Sequence, residues 1–387
     1  MNKRIIAFMM LLVLMVPVLA ACGTETTATT VPTAPAATAT SAEAAATATT
    51  ATEPTAGTEA TAAATTVATA EATTGGGTTS ELKIGLVTDV GKVDDGTFNQ
   101  FAFEGLKRAE TELGVKIDYI ETIDPKDYEK NIEQFASQGY DLIIGVGFLM
   151  GDAIKAAAAK YPDLKFAIVD FAYEPALANV KGLVFSEDES AFIAGALAAL
   201  VSKSGKIGAV GGKEQVPAVK KFVLGYEAGA MYVNKDIVVS KVYIDSFTDP
   251  TAGGEAAKTQ IAEGADVIFG AGGQTGSGAI KTAADNDVFV IGVDQDEYNT
   301  TFKKGPAPKL ITSAMKRVDN AVFDVVKEIV DGKFQGGVYL GNAANGGIDY
   351  APFHDAESAL PADAKATLDK IKQGLADGSI KTGVTLN

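Results

Sequence analysis

Two aspartates in this 387-residue chain close apolar runs: Asp170 follows Phe166-Ala167-Ile168-Val169, and Asp294 follows Val290-Ile291-Gly292-Val293. A carboxylate at the end of a buried run must be hydrogen-bonded or wet. A donor-bearing ligand edge or two vicinal hydroxyls would satisfy it, and so would a role as a cap or turn residue. Lys316, after the run Leu310 to Met315, suits a third contact to such hydroxyls or a counter-charge for Asp294 in the empty site. Phe98, beside Asn99 in a polar Gly/Asp turn, is either a hydrophobic staple for the next helix or a stacking platform for a flat ligand, worth about 1–3 kcal/mol per base in single-strand binders. The Asn99 amide offers both a donor and an acceptor for a base edge. Thr97 is the expected helix cap.

The loop "GAGGQTGSGAIKT" has P-loop spacing at Gly273 and Gly278, but Ala279-Ile280 stands where Lys-Ser/Thr is required. Gly272, Gly273, Gln274 and Thr275 are instead expected to bring backbone N–H groups close to a ligand at a helix start, or to form a tight turn. "DQDEYN" fails as a calcium loop, having Asn299 in place of glycine and Gly305 in place of glutamate. The single histidine, His354, is read as structural, and the single cysteine, Cys22, has no thiol partner. No nucleophile or acid–base pair stands out beyond the carboxylates, so neither enzyme activity nor a cofactor or metal is expected.

These residues sit on a monotonous alternation. Ten strand-like runs, from Lys83–Val87 to Leu310–Ala314, are separated by helical patterns such as Asn99–Leu113, Thr275–Asp285 and Val318–Val330. That pattern predicts α/β architecture with parallel sheets, and ten strands over 81–387 suggest two doubly wound lobes rather than one sheet or a closed barrel. In open parallel sheets, ligands bind beyond the carboxyl ends of the strands, where all the residues above lie.

The first 80 residues are of another kind. Lys3 and Arg4 precede an apolar stretch, Ile5 to Val18, too short to span a bilayer, and then "LAAC". This reads as a signal peptide over 1–21, with the small residues before Cys22 resembling a bacterial lipobox, so that Cys22 would carry lipid. Residues 22–80, rich in Thr and Ala and without an aromatic residue, read as a disordered tether. The formal net charge is −16; setting aside the two basic and five acidic residues before 81 leaves −13. Such a balance disfavours nucleic acid and polyphosphate ligands.

The stretches "DVGKVDDGTFNQ", "YDLIIGVGF", "FAIVD", "GLVFSEDESAFIAGALAAL", "ADVIFGAGGQTGSGAI", "VIGVDQDE" and "ITSAMKRVDNAV" together resemble the basic membrane protein family of bacterial lipoproteins. The resemblance implies a type I periplasmic-binding-protein fold, two doubly wound lobes joined by a hinge: 81–187 plus 313–335, and 188–312 plus 336–387. It also implies an extracytoplasmic protein, membrane-bound through its lipid only, which delivers a nucleoside, a purine one in most members of the family, to an ABC transporter permease; a monomer is expected. By position, Phe98 resembles the stacking ring, Asn99 and Asp170 the base readers, and Asp294 the ribose acceptor, with Lys316 and the Gly272–Thr275 loop beside it. Phe247 and Phe269 are the candidates for a second ring. The family's "AGGTG" is here "AGGQTG", one residue longer. The competing functions are a binding protein for a sugar or vitamin, and a surface receptor without a transporter.

Overall fold

The computed structural model describes residues 81–386. The expected signal peptide, Cys22 and tether lie outside the described residues. Apolar runs alternate with amphipathic helices as β1 (Lys83–Val90), α1 (Phe98–Leu113), β2 (Lys116–Thr122), α2 (Tyr128–Ala136), β3 (Leu142–Val146), α3 (Gly151–Lys160), β4 (Lys165–Val169) and β5 (Val180–Phe185). The chain then repeats the scheme as α4 (Glu187–Val201), β6 (Lys206–Gly211), α5 (Pro217–Val233), β7 (Val238–Tyr243), α6 (Pro250–Ala262), β8 (Val267–Ala271), α7 (Gly273–Asp285), β9 (Phe289–Asp294) and β10 (Leu310–Lys316). It ends with α8 (Val318–Val330), β11 (Gly337–Gly341), β12 (Ile348–Tyr350) and α9 (Ala364–Ala376).

The strands form two six-stranded sheets, ordered β11-β5-β4-β3-β1-β2 and β12-β10-β9-β8-β6-β7. The first is wholly parallel, and in the second only β12 runs antiparallel. Five strands of each follow one doubly wound order, whose switch points lie between β1 and β3 and between β6 and β8. The central strands are buried on both faces, which is why they read as continuous apolar runs rather than alternating ones. Helices α1 and α8 cover one face of the first sheet, and α2 and α3 the other. Helices α4, α5 and α9 cover one face of the second, and α6 and α7 the other.

The chain crosses between the lobes three times, at Ser186, at Arg317 and over 342–347. These crossings are tied side by side: Ser186 N–H donates to the Gly341 carbonyl at 2.8 Å, and Arg317 N–H to that of Gly347 at 2.9 Å. Two of the expected boundaries shift. Residues 313–316 stay with the second lobe, because β10 remains paired with β9 as far as Met315 opposite Asp294. Residues 337–341 belong to the first lobe, because β11 pairs with β5 and turns Tyr339 onto Phe185.

Candidate functional site

The carboxyl-terminal ends of both sheets border one cavity, whose atom-free space of about 670 Å³ includes open solvent at its mouth. On one flank, Gln295 Nε2 donates to the Thr97 carbonyl at 3.0 Å and Thr300 Oγ1 to that of Gly96 at 2.7 Å. On the other, Phe148 and Leu149 of the first lobe pack with Val216, Val219 and Phe247 of the second. The lobes therefore meet on both sides of the cavity.

At the start of α1 the capping differs from expectation. Thr97 Oγ1 is buried without a partner. Asp95 does the capping: its Oδ1 accepts from the N–H groups of Thr97 (2.8 Å) and Gln100 (3.1 Å), and its Oδ2 from that of Asn99 (3.1 Å). Asn99 Nδ2 adds a fourth donor at 3.1 Å, leaving Asn99 Oδ1 buried and unpartnered. Phe98 is thus the first residue of α1, and its ring both packs against the first lobe's core and lines the cavity.

Asp170 directly follows β4 and Asp294 ends the corresponding β9, and both adopt positive φ, 66° and 65°. For non-glycine residues this is an uncommon backbone state that clusters at functional sites. The Gln295 N–H donates to the Val293 carbonyl at 2.8 Å, closing a three-residue turn around Asp294. Lys316, 1% exposed, lies between the two carboxylates. Its Nζ is 2.7 and 3.0 Å from the Asp170 oxygens, 3.7 Å from Glu187 Oε1 and 3.8 Å from Asp294 Oδ1. It also faces the rings of Phe98 at 4.7 Å and Phe222 at 5.5 Å. The counter-charge expected for Asp294 is therefore given first to Asp170, both of whose oxygens are occupied, while Asp294 Oδ1 has no hydrogen bond.

Burial pushes the Asp294 carboxyl up to about 7 and that of Asp170 up to about 6, with Lys316 opposing both shifts. Burial opposes the charge on Lys316, yet Asp170, Asp294 and Glu187 together hold its pKa above the usual lysine range. Glu187, 2% exposed, also accepts from Lys221 at 3.0 Å, and Lys221 donates to the Phe185 carbonyl at 2.8 Å.

Gly272, Gly273 and Gln274 border the cavity. Gly272 lies so close to Gly212 that a Cβ on it would meet the Gly212 nitrogen at 2.4 Å, and Gly273 has φ +56°. Thr275 does not line the cavity: fully buried, it donates to the Ser246 carbonyl and accepts from Asp249 N–H, fixing the loop that carries Phe247. Of the two candidate rings, Phe247 reaches the cavity, whereas Phe269 is buried in the core, stacked on Tyr226 at 5.0 Å. Sequence reasoning missed Asp89, Asp95, Phe148 and Phe222. The first three lie in strand-end segments that position alone flags; Phe222 lies on α5, where nothing in the pattern separates it from core. His354 lies apart from the cavity lining, stacked on Tyr298 at 3.9 Å with Nε2 2.7 Å from Asp296. Among the described residues no helix is long and apolar enough to cross a membrane.

Over residues 82–351 the chain matches the Bmp family, described as ABC transporter substrate-binding protein PnrA-like. It is 36% identical over 316 residues to the ABC transporter nucleoside-binding protein BmpA of Lactococcus lactis, covering 77% of this chain and 89% of that one. Basic membrane protein A of Borreliella burgdorferi is 39% identical over 245 residues, 62% of this chain and 70% of the relative. Among solved structures, an ABC transporter solute-binding protein from Aeropyrum pernix superposes with a TM-score of 0.70 at 29% identity, covering 78% of this chain and 92% of that one. With two parallel-rich α/β lobes meeting around a cavity at their strand ends, the chain belongs to the Bmp family of ABC transporter substrate-binding proteins.

Proposed function

We propose that the cavity binds a nucleoside with a purine base, held between the two lobes and delivered to the permease of an ABC importer. The observation that carries this reading is the combination of rings from both lobes, Phe98 and Phe247, with two buried acceptors that lack donors, Asn99 Oδ1 and Asp294 Oδ1. A flat ring system with a donor-bearing edge answers the rings and Asn99, and a donor-rich, uncharged sugar answers Asp294. Asp294 is assigned to the ribose hydroxyls, with Lys316 and the Gly272–Gln274 backbone beside it, and Phe98 to the base. The only cation lining the cavity already faces three carboxylates, which disfavours a phosphorylated ligand. The name of the Lactococcus relative points the same way. Ligand contacts to both lobes stabilise the closed arrangement, so affinity and shape change are linked. Lipid on Cys22 would keep the protein at the outer face of the membrane.

The test is a thermal-melt panel of ribonucleosides, free bases, ribose and simple sugars, on protein first unfolded and refolded to remove retained ligand. A ligand at a thousand times its Kd stabilises by about 4 kcal/mol. Stabilisation by purine ribonucleosides, but not by bases or ribose alone, is expected. Stabilisation by sugars only would overturn the assignment.

A further inference from the structure

We infer that Asp95 is a specificity-determining residue: by fixing the Asn99 amide with its oxygen toward the cavity, it makes the site select a base edge that carries an N–H donor. This deepens the nucleoside reading above and rests on it. Two carboxylate oxygens offer about four acceptor positions, and Asp95 receives four donors: three backbone N–H groups at the start of α1 and Asn99 Nδ2. With those positions filled, no acceptor faces a proton on Asp95, so it acts as acceptor only. The Asn99 amide therefore cannot turn over, because turning would set its oxygen against Asp95 Oδ2. Hydrogen-bond networks of this kind are what decide an amide's orientation.

Asn99 is 3% exposed and borders the cavity, and its Oδ1 finds no donor in the protein. Leaving a buried acceptor unpaired costs about 1–3 kcal/mol, or roughly five- to a hundred-and-fiftyfold in affinity. A ligand without a donor on that edge bears this cost, and one with an amino or ring N–H group relieves it. Asp95 acts through Asn99, and is in that sense a positioning residue.

The experiment is calorimetric titration of the refolded full chain with adenosine, inosine, guanosine and purine riboside. Purine riboside keeps the ring system and sugar but has no N–H on the base. At least one of the first three should bind ten times or more tighter than purine riboside. In Asp95→Asn, which keeps a capping oxygen but adds an amide N–H, the Asn99 amide is free to turn and that ratio should fall toward one. Asn99→Ala, which removes the acceptor and leaves the cap, should equalise the ligands too, so the inference stays testable if the first variant does not fold. Equal binding of all four ligands by the unaltered protein, or an unchanged ratio in either variant, would overturn the inference and leave the nucleoside reading intact. Binding of none of the four would remove both.

Discussion

The two lobes share a strand order, and β4 and β9 occupy equivalent places in it, yet their terminal aspartates are served unequally. Asp170 has both oxygens on Lys316, while Asp294, in the same backbone state, has one oxygen without a partner 3.8 Å from that ammonium. The cause lies one strand further out. Where β5 ends in Phe185, β10 ends in Lys316, so a near-symmetric frame carries one strand-end cation for two strand-end carboxylates. Equal folds do not give equal sites: a single side-chain difference leaves one lobe electrostatically satisfied and the other short of a donor.

The most severe way to break this comparison is Lys316→Met. It leaves Asp170 buried without its partner and takes the nearest cation from Asp294, and removing one partner of a buried ionic group typically costs about 3–5 kcal/mol. Denaturant unfolding at neutral pH should show a loss of about that size.

Next in size is the pH dependence of the empty protein. The carboxyls of Asp294 and Asp170 are raised to about 7 and about 6 from 3.8, so the folded state holds protons that the unfolded state has released. Their contribution is fully present below about pH 4 and is lost as pH rises through 6 to 7. Between pH 5 and 8 the ligand-free protein should lose on the order of 3 kcal/mol, read as a falling melting temperature.

A smaller pair of changes separates the two aspartates by size. At pH 8, Asp294→Asn should raise the stability of the empty protein by about 1 kcal/mol, because it removes a buried charge with an unpaired oxygen. Asp170→Asn should raise it by less, because the charge it removes also makes the charge-assisted bonds to Lys316. Chemical unfolding of both variants beside the parent decides it; equal shifts would dissolve the distinction.

How much of this was legible beforehand follows from where each signal lives. Strands buried on both faces announce themselves as apolar runs, and the strand-end rule led to Asp170, Asp294 and Lys316. β11 escaped because it is an edge strand between glycines, with Val338 and Leu340 facing solvent, and β12 is only three residues long. Thr275 was misplaced because it adjoins Gln274 in sequence, whereas a helix turns about 100° per residue and α7 has already begun at Gly273. Which carboxylate Lys316 would choose depends on a difference of about an ångström, 2.7 against 3.8 Å, across two lobes, and nothing in linear order encodes it.

The smallest predicted effect sharpens the comparison at the seam between the lobes. Gln295→Ala removes one hydrogen bond across the cavity flank, to the Thr97 carbonyl. It should weaken ligand affinity by about 0.5–1.5 kcal/mol in titration while leaving the unfolding of the empty protein almost unchanged.

The triple crossing also governs how the chain is assembled. The lobe that begins first in sequence waits for α8 and β11, near the far end, to cover Ala102 and Leu106 of α1 and to border β5. The second lobe cannot close its sheet until β12 arrives after them. A chain ending before Val318 would expose the apolar side of α1 and leave neither half finished. Neither half is therefore a detachable module, and a growing polypeptide could complete neither lobe until β11 and β12 had been made.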